Sequence, residues 1–437
     1  MAFSLKGIHV PHRKNTADMS PVRMPAPKMV TLLTTMHIGK PAKPVVKVGD
    51  TVSVGTLVAE QDGFISSPVY SSVSGTVKSV ADTLLSNGKM APAITIESDG
   101  EMTPDASIAV PQVNSKEDFI EAVKKSGIVG LGGAGFPTYV KFATDKKIDT
   151  LVINGAECEP YITSDSITML ESADDILLAI ETADKYFNFD KVIIGIEKNK
   201  PSAIAKMNEL SQKNSKIQVK VLPSIYPQGG EKVLVYHTTG RTIAVGQLPA
   251  DAGCIVCNSS TMANIGKYLQ TGMPLVEKVV TVDGGAVKEP KNVIVAIGTP
   301  IGEVFDFCGG FNGEPEKVIY GGPMMGVAVP DLTVPVLKQT NALVAFNKKE
   351  TKTAKTTACI KCGKCTNHCP FGINPAAIAK AYNNKDAEML EKLGADICML
   401  CGCCAFICPA KRPLVETNSL AKSMLAAERA KKKEGNA

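Results

Sequence analysis

Nine cysteines crowd residues 359–408 of a 437-residue chain that carries thirteen in all. Eight of them form two ladders of the same spacing: Cys359, Cys362, Cys365 and Cys369 before Pro370, then Cys398, Cys401, Cys404 and Cys408 before Pro409. Thiolates are soft ligands for iron and zinc, and three of them three apart let one loop wrap an iron-sulfur cube while backbone amides face the sulfides. Zinc sites use two well-separated Cys-x-x-Cys pairs, so ladders closed by Cys-Pro point to two [4Fe-4S] clusters. A disulfide framework belongs to small secreted domains, whereas this N-terminus has no apolar run with a small-residue cleavage site. A reducing, cytosolic setting is the expectation. Cys403 stands outside both ladders and reads as a buried thiol. Cys158, Cys254, Cys257 and Cys308 are scattered, and the apolar run around Cys254-x-x-Cys257 reads as core packing.

A second chemical feature is the glycine loop Gly130-Leu131-Gly132-Gly133-Ala134-Gly135, followed by Phe136-Pro137-Thr138 and Lys141. Missing Cβ atoms let backbone amides approach a phosphate or a flat ring. The spacing fits a dinucleotide fingerprint, but that motif follows a strand, and here the loop follows a helix. Two loops belong near it by topology. Asn154-Gly-Ala-Glu157-Cys-Glu159-Pro160 lies past the first strand of an alternating helix-strand region, and Tyr226-Pro-Gln-Gly229-Gly230-Glu231 lies past the third. In an open parallel sheet such carboxyl ends line one crevice. Their carboxylates suit the hydroxyls of a ribose or the ring N–H of a flavin, with solvated loop acids as the plain alternative.

The elements that position these residues can be read from pattern. Residues 43–80 hold short β-branched runs broken by Gly49-Asp50, Gly55, Asp62-Gly63 and Ser74-Gly75, which predicts a small sandwich of hairpins. Its two halves are similar to a lipoyl-type barrel, yet no lysine lies between Val48 and Val77 to carry a swinging cofactor, so a structural or docking role is expected. After a linker at 101–115, Ser115 opens a helix with acids first and lysines last, ending at Ser126-Gly127. Strands at 150–154, 191–195 and 217–222 alternate with amphipathic segments at 165–186, 201–213 and 230–239, predicting a parallel sheet. Residues 278–346 read as short strands with glycine turns. Between the ladders, Asn374-Pro375 marks a helix start and Gly394 a stop. His9 and His12, in an irregular proline-rich N-terminal stretch, lack metal-ligating companions and read as surface or packing residues. Composition is that of folded globular material: 44% apolar, 21% charged and a net charge of +5, with no basic footprint for nucleic acid beyond Lys431 to Lys433. No stretch is apolar and long enough to span a membrane.

Taken in order, the glycine loop with Phe136-Pro137-Thr138, the Asn154-Glu157-Glu159-Pro160 motif and the Gly229-Glu231 loop resemble the NADH- and FMN-binding subunit of respiratory complex I. Leu131, Ala156 and Gly230 depart from that family's arginine, acid and glutamate. With the lipoyl-like start and the cysteine module, the whole chain resembles the C subunits of the Rnf electron-transport complex. That resemblance implies a multidomain α/β protein: a lipoyl-like barrel-sandwich within 1–100, an FMN- and NAD(H)-binding parallel-sheet domain at 116–270, a β-grasp domain at 271–347, a two-cluster ferredoxin module at 355–412, and a basic helical tail at 413–437. It implies FMN on Gly132, Gly133, Gly135, Lys141, Asn154 and Glu157, with Phe136, Glu159 and Glu231 on the nucleotide side. In two-cluster ferredoxins the fourth cysteine serves the other cluster. Carried over, one cluster takes Cys359, Cys362, Cys365 and Cys408, and the other Cys369, Cys398, Cys401 and Cys404. The implied activity is electron transfer between NAD(H), FMN and the clusters, on the cytoplasmic face of a membrane complex that reaches ferredoxin through other subunits and moves Na⁺ or H⁺. A soluble flavin and iron-sulfur oxidoreductase, and a relay or scaffold subunit whose glycine loop holds nothing, remain the alternatives.

Overall fold

The computed structural model describes residues 6–85, 90–352 and 354–434. The N-terminal stretch runs across the molecule as an extended strap: Ile8 bridges Tyr226, and β1 (Val22–Arg23) pairs in parallel with a strand of the third domain. Next come β2 (Met29–Leu33), β3 (Lys43–Pro44), β4 (Thr51–Val52), β5 (Leu57–Glu60), β6 (Val69–Tyr70), β7 (Gly75–Leu84) and β8 (Met90–Ser98). They make two small sheets, β2-β8-β7-β4 and β3-β5-β6. Alternating residues such as Val30, Leu32, Val58, Val77, Ile94 and Ile96 fill the space between the sheets.

In the central domain, α1 (Lys116–Lys125) starts at Ser115, whose Oγ accepts the Asp118 amide at 3.0 Å. It continues through α2 (Thr138–Phe142), β9 (Thr150–Gly155), α3 (Ser164–Glu171), α4 (Ala173–Phe187), β10 (Lys191–Glu197), α5 (Pro201–Ser211), β11 (Ile217–Leu222), α6 (Glu231–Thr239), β12 (Cys254–Asn258) and α7 (Ser259–Thr271). The sheet is parallel with order β11-β10-β9-β12. Chain order therefore reverses beside β9, because β10 and β11 lie to one side of it and β12 to the other. Two features differ from the sequence pattern. The amphipathic stretch at 165–186 breaks at Ser172 into α3 and α4, and the apolar run holding Cys254 and Cys257 is a fourth strand leading into a helix. An apolar run of five residues has no periodicity to separate strand from buried loop.

The third domain comprises β13 (Glu277–Asp283), β14 (Lys291–Ala296), α8 (Ile301–Phe307), β15 (Lys317–Tyr320), β16 (Val327–Ala328) and β17 (Ala342–Phe346). Its sheet, β1-β14-β13-β17-β15-β16, borrows β1 from the strap and wraps α8.

The cysteine module has α9 (Lys364–Asn367), α10 (Pro375–Asn383), α11 (Ala387–Lys392), α12 (Cys403–Ile407) and α13 (Leu414–Glu434). Asn374 caps α10 by accepting the Ala377 amide at 3.1 Å, and Gly394 stands past α11 at φ +67. The two ladders share one backbone course. Lys361, Gly363 and Gly372 have left-handed φ in the first, and Leu400, Gly402 and Lys411 match them in the second. Among the described residues no helix is long and apolar enough to cross a membrane.

Candidate redox site

The glycine loop is closed at its base, where Gly130 N–H donates to the Phe136 carbonyl at 2.8 Å and Thr138 N–H to that of Ile128 at 3.2 Å. Gly132, Gly133 and Ala134 stand exposed at its apex, and a Cβ on Gly133 would meet nothing within 4 Å. On one flank the loop leans on the β12–α7 corner: Leu131 N–H donates to Thr261 Oγ1 at 3.1 Å, and a Cβ on Gly132 would strike the Asn258 amide nitrogen at 2.4 Å. On the other flank the barrel supports it, with Ile38 N–H donating to the Gly135 carbonyl at 3.0 Å. The hairpin tip that lacks a lysine sits on the helix just after the loop, since Gln61 Nε2 donates to Tyr139 Oη at 2.6 Å and Tyr139 Oη donates to the Phe64 carbonyl.

This places the loop over the point where strand order reverses, beside the carboxyl ends of β9 and β12. Asn154, at the end of β9, donates to the Gly229 carbonyl at 3.0 Å and so joins the loops that follow β9 and β11. Lys141 lies between strands and loop, donating to Glu231 Oε1 at 2.9 Å and the Val256 carbonyl at 2.8 Å. Burial works against its charge, but the adjoining Glu231 carboxylate outweighs it and holds the ammonium above its ordinary pKa. Asn258 and the residues after it were not singled out in the sequence. Asn258 caps α7 through Thr261 N–H at 3.2 Å and donates to Asp165 at 2.7 Å, while the Ser259 hydroxyl is buried without a protein partner. A polar Asn-Ser-Ser-Thr run straight after an apolar one is the signal that marks them.

The structure departs from expectation at the two acids after β9. Glu157 turns inward at φ +45, and its oxygens accept the Asp165 amide at 2.6 Å and the Ser166 hydroxyl at 2.8 Å, at the start of α3. Glu159 accepts the amides of Met324 and Met325 at 3.0 and 2.8 Å, gripping the loop between β15 and β16. Burial lifts the Glu157 carboxyl above its usual range and that of Glu159 to about 7. Neither acid faces the crevice with a free oxygen. Two buried ammonium groups hold this loop. Lys14 of the strap donates to the carbonyls of Glu157, Glu159 and Ile162, and Lys200 to those of Ala156 and Glu157. Burial pushes Lys14 down to about 8.

The cysteines divide by environment. Cys369, Cys398, Cys401 and Cys404, with Cys403, line one small cavity. Cys365 and Cys408 share a packing group with Ala379, Ala410 and Leu414 that Cys404 also joins, and the segment leading to Cys359 is pinned beside them by Thr357 N–H to the Ala410 carbonyl at 3.0 Å. Cys359 and Cys362 are exposed. Among the described residues no three His, Cys, Asp or Glu side chains converge on a single-ion point. Donors face the sulfurs as a thiolate cage requires: Lys361 N–H to Cys359 Sγ at 3.4 Å, Asn418 Nδ2 to Cys398 Sγ at 3.8 Å, and the amides of Phe371 and Ile373 toward Cys369. The residues present therefore fit cubane clusters. Cys403 is 1% exposed, and its thiol faces the Tyr226 carbonyl at 3.8 Å.

The second ladder is docked on the central domain. Tyr226 Oη donates to the Cys401 carbonyl at 2.7 Å, in a buried group with Ile8, Val10 and Cys403 that half-buried Cys158 and Met399 pack against. Met399 presses so closely on Gly230 that a Cβ there would lie 2.5 Å from its methyl carbon. Beside this contact a cleft of about 740 Å³ opens between α6 and the cysteine module, lined by Glu231, Tyr236, Ile243, Phe371 and Met399 among others.

Comparison with known proteins matches each domain. Residues 3–101 match the RnfC barrel sandwich hybrid domain, 123–267 the Nuo51 FMN-binding domain, 279–328 the SLBB domain and 358–412 the 4Fe-4S dicluster domain. The chain is 42% identical to the C subunit of the Na(+)-translocating ferredoxin:NAD(+) oxidoreductase complex of Acetobacterium woodii, covering 97% of each. It is 40% identical to the proton-translocating counterpart of Clostridium ljungdahlii over 85% of this chain and 83% of that one. To the C subunit of the ion-translocating oxidoreductase complex of Rhodobacter capsulatus it is 38% identical over 99% of this chain and 85% of that one. Among solved structures, an NAD+-reducing [NiFe]-hydrogenase shares the fold with a TM-score of 0.51 and 16% identity, covering 71% of this chain and 63% of the hydrogenase chain.

Proposed function

This chain belongs to the family of C subunits of ion-translocating ferredoxin:NAD(+) oxidoreductase complexes, and from that premise we propose that it passes electrons between NAD(H) and the rest of such a complex. It does so as a peripheral component at the cytoplasmic face, linked by its partner subunits to ion movement and, through them, to ferredoxin.

Bound flavin supplies the conversion of a two-electron hydride into single electrons that cubane clusters carry. For FMN, the exposed amides of Gly132 to Ala134 and the empty space over Gly133 form the backbone cradle, with Gly135, Phe136, Lys141 and Asn154 around it. Lys141 brings positive charge to the strand ends, and Asn258 with the N-terminus of α7 favours an anionic group at the apex. Glu231 faces the cleft beside α6, whose volume suits a dinucleotide. Glu157 and Glu159 act at one remove in this reading: one fixes α3, the other locks the third domain to the loop after β9. Cys359, Cys362, Cys365 and Cys408 would hold one cluster, and Cys369, Cys398, Cys401 and Cys404 the other.

The observation that carries the reading is the docking of the second ladder on the loop that ends in Glu231. Tyr226 and Met399 join the crevice to the Cys401 loop by direct contact. The test is anaerobic purification with flavin, iron and sulfide analysis, followed by an NADH titration read by absorbance and EPR. Flavin bleaching together with reduced cluster signals is expected. Protein that binds no flavin, or whose iron centres stay oxidised under excess NADH and FMN, defeats the proposal.

A further inference from the structure

The cysteine module repeats itself, and the repeat breaks at one buried position. The interval from Cys359 to Cys398 also separates Lys361 from Leu400 and Gly363 from Gly402, the matched left-handed positions, and Pro375 from Leu414, the first residues of α10 and α13. The same interval carries Ala379 onto Asn418. Ala379 is 4% exposed and packs with Cys365, Cys404 and Cys408, an apolar side chain in an apolar place. Asn418 is 1% exposed and is the polar member of the buried stripe of α13, whose other members are Leu414, Ala421 and Leu425. A primary amide in such a stripe costs stability unless its groups are used. Its Oδ1 has no partner in the protein, while Nδ2 donates to Cys398 Sγ at 3.8 Å. Turning the amide over would set its oxygen against a thiolate, so the donor is kept on the sulfur. The side chain lines the same small cavity as Cys369, Cys398, Cys401 and Cys404. One turn further along α13, Lys422 Nζ donates to the Cys398 carbonyl at 2.5 Å and fixes that loop against the helix.

We propose that Asn418 is a positioning residue that acts through Cys398 to raise the reduction potential of the second cluster. This rests on reading the ladders as cluster sites. An N–H donor at a ligand sulfur favours the reduced cluster, which carries one more negative charge, over the oxidised one. The first half of the repeat has Ala379 at the matching place and no such donor. The second ladder is also the one whose loop meets the central domain at Tyr226 and Gly230. The amide therefore holds an electron at the crevice side of the module.

The test is a redox titration of the full chain, reconstituted anaerobically and poised with dithionite and mediators, with the clusters followed by EPR. The chemical reductant reads the clusters whether or not NADH reduces them. The second cluster's signal is the one that persists in Cys365→Ala. In Asn418→Leu, similar in volume but without the donor, the second cluster should hold its electron about tenfold less well, about 59 mV lower for a one-electron couple. The first cluster should not move. Asn418→Gln, which keeps an amide donor, should recover part of the shift. Asn418→Ala, the residue of the first half, serves where leucine does not fit and should shift in the same direction. Full clusters with the second potential unchanged in both donor-free variants, both clusters shifted equally, or iron lost from both variants, overturn the proposal. Wild type without iron and sulfide removes the cluster reading and this proposal with it. Missing flavin, or iron left oxidised by NADH beside a normal dithionite titration, defeats the electron-transfer reading and leaves the role of Asn418 standing.

Discussion

Two adjacent glycines separate a structural role from a ligand-binding one. A methyl group on Gly132 would lie 2.4 Å from the Asn258 side-chain nitrogen and 2.9 Å from its Cγ, whereas on Gly133 it would meet nothing within 4 Å. Asn258 has little freedom to move, being held by Asp165 and capping α7. Displacing it forfeits a cap, about 1 kcal/mol, and leaves a buried carboxylate oxygen short of a donor, a further ~1–3 kcal/mol. Gly132→Ala should therefore destabilise the flavin-free protein by about 2–4 kcal/mol. Gly133→Ala should leave it unchanged or stabilise it by about 0.5 kcal/mol, because the unfolded chain loses freedom. Flavin affinity reverses the contrast. If the apex amides lie against the phosphate or ring, the Gly133 methyl stands in that space and removes about two charge-assisted hydrogen bonds, roughly 3 kcal/mol or about a hundredfold in Kd. Urea unfolding of flavin-free protein gives the first quantity, and titration of FMN fluorescence gives the second. FMN binding by Gly133→Ala at wild-type affinity, with unfolding also unchanged, would show that the open loop is not the cradle.

Other outcomes follow from the same geometry. Cys365→Ala and Cys408→Ala should each remove about half of the bound iron, and the double variant no more than either, whereas Cys408→Ala with Cys404→Ala should remove nearly all; iron analysis after reconstitution decides the pairing. Tyr226→Phe deletes a buried hydrogen bond to the Cys401 carbonyl, so the module's docking should weaken by about 1 kcal/mol, and potentiometric EPR should show the second cluster shifted while the first is not. Glu159 has its folded pKa raised to about 7 from 4.5, so the folded state holds a proton that the unfolded state releases. Its contribution then makes stability fall as pH rises between those values, and thermal unfolding of Glu159→Gln should show a flatter pH profile there than the wild type; identical profiles would refute it. Lys14→Met leaves the Glu159 and Ile162 carbonyls without this donor, while Lys200 still reaches that of Glu157, so it should cost about 2 kcal/mol, and limited proteolysis should cut within 157–162.

What the sequence determined by itself was local. Ladder spacing points to a cubane because three of its four ligands sit on one short loop, and the repeated left-handed positions at Lys361 and Leu400, Gly363 and Gly402 follow the same register. Ser115 and Asn374 announce their helices because a cap needs only the next turn. Only the tertiary structure decided the fate of Glu157 and Glu159, since the Glu157 carboxylate is taken by the start of α3 and its backbone by Lys14 and Lys200, while Glu159 is taken by the loop at Met324, remote in the chain. The same holds for β12, an apolar run whose partner β9 is about a hundred residues earlier. It holds too for the two ladders, equal in spacing and unequal in surroundings: Tyr226 and Gly230 pack on the second, while Cys359 and Cys362 of the first are left to solvent. Spacing encodes what a loop can ligate, and long-range packing selects which loop meets the crevice and which keeps its leading cysteines in solvent.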